Sequence, residues 1–99
     1  MCGFFVSFSL RNSINNLDIN RFKQAASLIK HRGPDDCHSY FDSDIKMIFY
    51  RLSIIDLSKN GRQPMFSCTK NNIIVFNGEI YNAKYLKSLL KKCNLRGNS

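Results

Sequence analysis

Ninety-nine residues, 43% of them hydrophobic, make at most one small domain and leave no room for a second catalytic module. The net charge is +8, from 15 Lys and Arg against 7 acids. The basic residues are scattered, however, and cluster only as Lys84, Lys87, Lys91 and Lys92, which reads as a solvated helix face and not as a nucleic-acid surface.

The chain opens "MCGFFVSFSL". This stretch lacks the charged start and small-residue cleavage site of a secretory signal. Phe4 to Leu10 therefore reads as a buried strand, and Arg11 to Asn16 as a polar connection. Asp18 is a plausible helix cap, and Phe22, Ala25, Ala26 and Ile29 follow on one helical face. "HRGP" should end that helix: Gly33 suits the C′ position, Pro34 cannot continue, and Lys30, His31 and Arg32 suit the negative end. Ile45 to Ile55 is strand-like, Ser58 to Pro64 is a turn-rich loop, and Ile73 to Phe76 is a fully apolar strand. Asn77-Gly78 reads as a hairpin turn, whose central residues need positive φ. A second helix follows, capped by Asn82, striped by Tyr85, Leu86, Leu89, Leu90 and Cys93, and closed by Gly97. The expected order is β-α-β-β-α, a compact α+β piece without repeats.

The four cysteines, Cys2, Cys37, Cys68 and Cys93, form no C-x-x-C pair. They suggest neither a zinc site nor a disulfide frame, but separate thiols in a reducing compartment. No run approaches a membrane span, so the expected location is the cytoplasm.

"MCG" carries chemistry if Met1 is removed, because Cys2 would then hold a thiol and a free α-amine on one residue. An α-amine has a reference pKa of about 7.7 to 8.0 and a thiol about 8.5, so the amine can take the thiol proton near neutral pH. The alternative is a small apolar Cys at the start of a buried strand. "HRGPDD" is equally a helix stop, "YRLSIIDLS" a strand, and "NGRQPM" a loop. Their order in one short chain decides between the readings: Cys2-Gly3, Arg32-Gly33-Pro34-Asp35, Arg51 to Asp56, Gln63-Pro64-Met65, and Asn77-Gly78-Glu79-Ile80-Tyr81-Asn82.

This series resembles the glutamine-hydrolysing domain at the N-terminus of asparagine synthetases, class II amidotransferases of the N-terminal-nucleophile hydrolase group. The resemblance runs from residue 1 to residue 99. It implies a partial four-layer αββα sandwich of antiparallel sheets, and Cys2 as the nucleophile that attacks the side-chain amide of L-glutamine. It implies an oxyanion hole formed by the Asn77 side chain and the Gly78 N–H. It also implies a substrate pocket with Arg51 on the α-carboxylate, Glu79 on the α-ammonium, and backbone groups of Leu52, Ile54 and Ile55 as lining. No metal or cofactor belongs to this segment; ATP and magnesium serve a synthetase domain normally on the same chain. Partners are glutamine and that domain, with no nucleic acid and no membrane. Val6 stands where the family usually has a second glycine, adding bulk near the site. After Ser99 the family continues into an aspartate that shares the ammonium with Glu79, so the chain stands for the first half of a glutaminase domain. The other readings are a non-catalytic remnant or interaction module, and an amidotransferase for another carboxylate, such as one on a surface sugar.

Overall fold

The computed structural model describes residues 1–9, 18–90 and 95. The elements are β1 (Gly3–Phe8), α1 (Ile19–Ser27), β2 (Asp36–Phe41), β3 (Ile45–Arg51), β4 (Met65–Phe66), β5 (Ile73–Ile74) and α2 (Ala83–Leu89), with 3-10 turns at Lys30–Arg32 and Lys59–Gly61. The architecture is mixed α/β with antiparallel sheets. Leu10, the Arg11–Asn16 connection, Lys91, Lys92, Cys93 and Gly97 lie outside the described residues.

The main sheet has the order β1-β3-β2, and both pairings are antiparallel. Phe5 lies opposite Ile48, and Ile48 opposite Ser39; Gly3, Tyr50 and Cys37 form the next rung on the same face. Because side chains alternate along a strand, that face also carries Phe41, and α1 covers it. Asp18 starts the helix by accepting a hydrogen bond from Asn20 N–H at 3.1 Å. Phe22 and Ala26, at 0% exposure, then enter the core with Ile48 and Tyr50. The Phe22 ring sits 5.1 Å from Phe5 and edge-on to Phe41 at 5.9 Å. Of the stripe expected of this helix, Phe22 and Ala26 are buried; Ala25 is half-buried, as is Ile29, which lies past the end of α1. Fully burying a side chain such as that of Phe22 stabilises the fold by roughly 1.5 to 3 kcal/mol.

Tyr40 points to the opposite face, where its ring meets Phe66 of β4 edge-on at 5.1 Å. β4 and β5 form a separate two-stranded ribbon.

Several sequence expectations need correction. β2 and β4 were not anticipated; Asp36 is a poor strand former and Cys37, His38 and Ser39 carry no strand signal, but the segment pairs with β3. β3 ends at Arg51, not at Ile55. The Arg51 guanidinium donates to the carbonyls of Asp56 and Ser58 and draws the chain round, leaving Ile54 73% and Ile55 66% exposed. α1 ends at Ser27, with the 3-10 turn inserted before Gly33. Gly33 is not left-handed, with φ −145°; it is needed because a Cβ there would run into the Tyr50 carbonyl and Arg51 N. Asn77-Gly78 has no positive φ either. Among the described residues only Lys70 does, at 59°, and the ribbon reverses there: Ser67 N–H bonds Asn72 O at 2.9 Å, and Lys70 N–H bonds Ser67 O at 2.9 Å. α2 starts after Asn82 as expected, but Asn82 makes no side-chain cap and none of the helix's residues is buried.

Candidate functional site

The start of β1 and the end of β3 are neighbours because the strands pair antiparallel, Gly3 opposite Tyr50. That brings Cys2 beside Leu52. The Leu52 N–H donates to Cys2 Sγ at 3.3 Å, and the thiol lies 3.6 Å from Leu52 O, toward which it can donate. The Arg32 Nε–H donates to Cys2 O at 3.1 Å. A Cβ on Gly3 would stand 3.2 Å from Arg32 Cδ and 3.3 Å from its Cβ, so the arginine stem lies directly against Gly3. Arg32 thus holds the cysteine from its backbone while Leu52 holds its sulfur.

The same segment ties down the end of β3. Asp35 N–H bonds Arg51 O at 3.0 Å, and the Asp35 carboxylate accepts from Ser53 N–H at 2.7 Å. Leu52 is therefore held between two residues that Asp35 bonds.

Arg51 is buried, at 7% exposure. Its Nη1 donates to Ser58 O at 2.6 Å and its Nη2 to Asp56 O. Gly61 packs so closely on the guanidinium that an added Cβ would overlap Nη2. Asp56, also buried, accepts from Ser58 N–H at 2.8 Å. Arg62, which follows Gly61, donates through Nε to Asp36 at 2.8 Å. Desolvation pushes the Asp36 carboxyl up, but the Arg62 bond, the Cys37 N–H and nearby His38 together hold it below the usual carboxylate value. Of the other thiols, Cys37 is pushed up by partial burial and then by the Asp36 carboxylate, with Lys30 opposing. Cys2, Cys37 and Cys68 are all free.

The Asn77–Glu79 segment reaches α2 from β5. Asn77 is half-buried, while Gly78 and Glu79 are exposed. The Gln63 side chain holds the residue before them: Oε1 accepts from Phe76 N–H at 2.6 Å, and Nε2 donates to Phe76 O at 3.1 Å. The structure thus brings Cys2, Leu52 and Arg51 to one corner of the sheet. Among the described residues no hydrogen bond joins Asn77, Gly78 or Glu79 to that corner. Val6 lies opposite Met47, further along β1. Arg32, Asp35 and Gln63 received no role in the site from the sequence. Their presence in the ordered motif series was the only signal, since backbone clamps across the chain leave no local pattern.

The motif segments of the sequence thus meet around Cys2, just before β1, in a mixed α/β chain with antiparallel sheets. The glutamine amidotransferase domain family matches residues 1–99, and the chain belongs to it. It is 46% identical over 68 residues to asparagine synthetase [glutamine-hydrolyzing] 2 of Bacillus subtilis, covering 69% of this chain and 9% of that protein. It is 39% identical over 92 residues to asparagine synthetase [glutamine-hydrolyzing] 1 of the same organism, covering 92% and 14%. It is 32% identical over 88 residues to asparagine synthetase B [glutamine-hydrolyzing] of Escherichia coli, covering 89% and 16%. The chain spans less than a sixth of the length of the first two relatives, at 9% and 14%. No solved structure matches it significantly. Among the described residues no helix is long and apolar enough to cross a membrane, and no three His, Cys, Asp or Glu gather as metal ligands.

Proposed function

We propose that this chain carries the glutamine-hydrolysing step of an asparagine-synthesising amidotransferase, with Cys2 as an N-terminal nucleophile after loss of Met1. The observation that carries the reading is the hold on Cys2: its sulfur against Leu52 N–H at 3.3 Å and its carbonyl on Arg32 at 3.1 Å. A catalytic thiol must be aimed, and this one is restrained on both sides. Family membership and the relatives' names support the substrate.

In this reading Cys2 Sγ attacks the side-chain carbonyl carbon of glutamine and passes its proton to the α-amine. The Asn77 amide and Gly78 N–H receive the oxyanion, each such donor being worth about 2.7 to 4 kcal/mol to the transition state. The C–N bond breaks, ammonia leaves with a proton from the amine, and water hydrolyses the resulting thioester to glutamate. Arg51 takes the substrate α-carboxylate with the N–H donors left over from its two carbonyl bonds. Glu79 takes the α-ammonium, and backbone groups of Leu52, Ile54 and Ile55 line the pocket. The three-stranded sheet with α1 corresponds to part of an αββα sandwich. ATP and magnesium belong to a synthetase domain, where ammonia meets activated aspartate. Free thiols suit the cytoplasm.

A non-catalytic interaction module is the second reading. It draws on α2, whose Tyr85 and Leu89 are 62% and 61% exposed. Intact-mass measurement, with assay of released glutamate after incubation with glutamine, separates the two. The catalytic reading expects Met1 absent and glutamate released as the glutamine is consumed; Met1 retained, or no glutamate released, contradicts it.

A further inference from the structure

We infer that Gln63 is a positioning residue for the Asn77–Gly78 donors, an inference that rests on reading those two groups as the oxyanion hole. β5 ends at Ile74, so the backbone has left the ladder by Phe76. There the Gln63 amide substitutes for a neighbouring strand, accepting from Phe76 N–H at 2.6 Å and donating to Phe76 O at 3.1 Å. A side-chain amide satisfies both groups at once, because its oxygen accepts from Phe76 N–H while its NH2 donates to Phe76 O. Glu at neutral pH lacks the donor, and Met lacks both.

The clamp acts on Asn77 and Gly78 through Phe76. Phe76 O belongs to the peptide group that carries Asn77 N, so the plane entering Asn77 is fixed. Phe76 also fixes Gly78, because a Cβ there would lie 2.8 Å from the ring Cζ and 3.2 Å from Cε2. The tip of the Phe76 ring therefore lies against Gly78, which is itself exposed. Gln63, Phe76 and Gly78 form one mechanical series, and Gln63 is its link to the loop that Arg51 and Gly61 organise.

The test compares two probes of Cys2 on the whole chain, a chloroketone analogue of glutamine and iodoacetamide. Both form an Sγ–C bond and expel halide, but only the first carries glutamine's α-ammonium and α-carboxylate, which seat its ketone oxygen at the oxyanion donors; the small amide of iodoacetamide has no such anchor. Displacing a reacting group by about 1 Å can cost roughly a hundredfold. Gln63→Glu is expected to slow the chloroketone about 10- to 100-fold while leaving iodoacetamide within about twofold. Equal slowing of both probes, or slowing of neither, overturns the role of Gln63 and leaves the Cys2 reading standing. If the chloroketone does not prefer Cys2 over Cys37 in the unsubstituted chain, the Cys2 reading fails and takes this inference with it. In Gln63→Met, the Phe76 amide should exchange with solvent more than about tenfold faster while β3 amides keep their rates, since the amide loses the acceptor it has among the described residues. An unchanged Phe76 rate contradicts the clamp; if β3 amides also accelerate, the chain has loosened globally and the Gln63→Glu comparison decides.

Discussion

Between Gly3 and Arg51 a buried cluster forms. Phe22, Ala26, Ile48, Phe49 and Tyr50 are each at most 6% exposed, while Phe4, Phe8, Ile19 and Leu28 stay open around it. From Met65 onward the balance reverses: Phe66, Ile74, Phe76, Tyr85, Leu86, Leu89 and Leu90 are each at least 40% exposed. The later region is held by polar clamps instead, Gln63 on Phe76 and Ser67 on Asn72. A net hydrogen bond contributes about 0.5 to 1.5 kcal/mol, less than one fully buried ring. The comparison teaches where the site is anchored. Cys2 and Leu52 belong to the buried region, whereas Asn77 and Gly78 hang from the clamped one, so the two parts of the proposed machinery rest on unequal foundations.

The contrast breaks most sharply at Phe22. Phe22→Ala should destabilise the chain by about 3 to 5 kcal/mol, because a void opens between Phe5, Phe41 and Ile48. Leu89→Ala, on the exposed stripe of α2, should cost less than about 0.5 kcal/mol. Urea unfolding of the pair checks both; similar costs would erase the distinction between the regions.

A smaller effect is expected at Gly33. Gly33→Ala drives a methyl into the β3 backbone at Tyr50 and Arg51, and such overpacking costs about 1 to 3 kcal/mol. Because Arg32 and Asp35 flank it, the same substitution should loosen the hold on Cys2 and raise its alkylation by iodoacetamide. Unchanged stability would mean that the strap between α1 and β2 does not need its close approach.

The smallest effect is set by acid. In the β2–β3 turn the Asp42 carboxylate accepts from Asp44 N–H at 2.7 Å, Ile45 N–H at 2.6 Å and the Tyr40 hydroxyl at 2.9 Å. The Asp44 and Ile45 bonds, followed by the Tyr40 bond, hold its carboxyl below the ordinary 3.8. A carboxyl lowered on folding contributes stability that is fully present above 3.8 and is lost as pH falls through the native value. Asp42→Asn should therefore flatten the loss of stability on the acid side of that range. An identical acid slope in both proteins would remove Asp42 from the account.

How much of this was legible depended on whether the cause was local. α1 could be read because Phe22, Ala25 and Ala26 recur at helical spacing and Asp18 caps by its own side chain. α2 could be read as a helix for the same reason. Periodicity names an apolar face but not what covers it, so the exposure of Leu86 and Leu89 was invisible. β2 was missed because Asp36 and His38 carry no strand signal of their own, and the pairing with β3 is not local. At Gly33 the residue was noticed for the wrong reason: handedness can be read from a sequence, and backbone approach from another strand cannot. The candidate site divides the same way. Cys2, Arg51 and Asn77 stood out in the ordered motifs, while the clamps from Arg32, Asp35 and Gln63 span 30, 18 and 13 residues.

The unequal footing of the two regions is most directly tested by site-resolved amide hydrogen exchange. The account predicts that β3 amides, and Leu52 N–H with its bond to Cys2 Sγ, exchange only when the whole sheet opens, while α2 amides exchange orders of magnitude faster through local fraying. α2 amides as slow as those of β3, or a Leu52 amide as fast as those of α2, would contradict it.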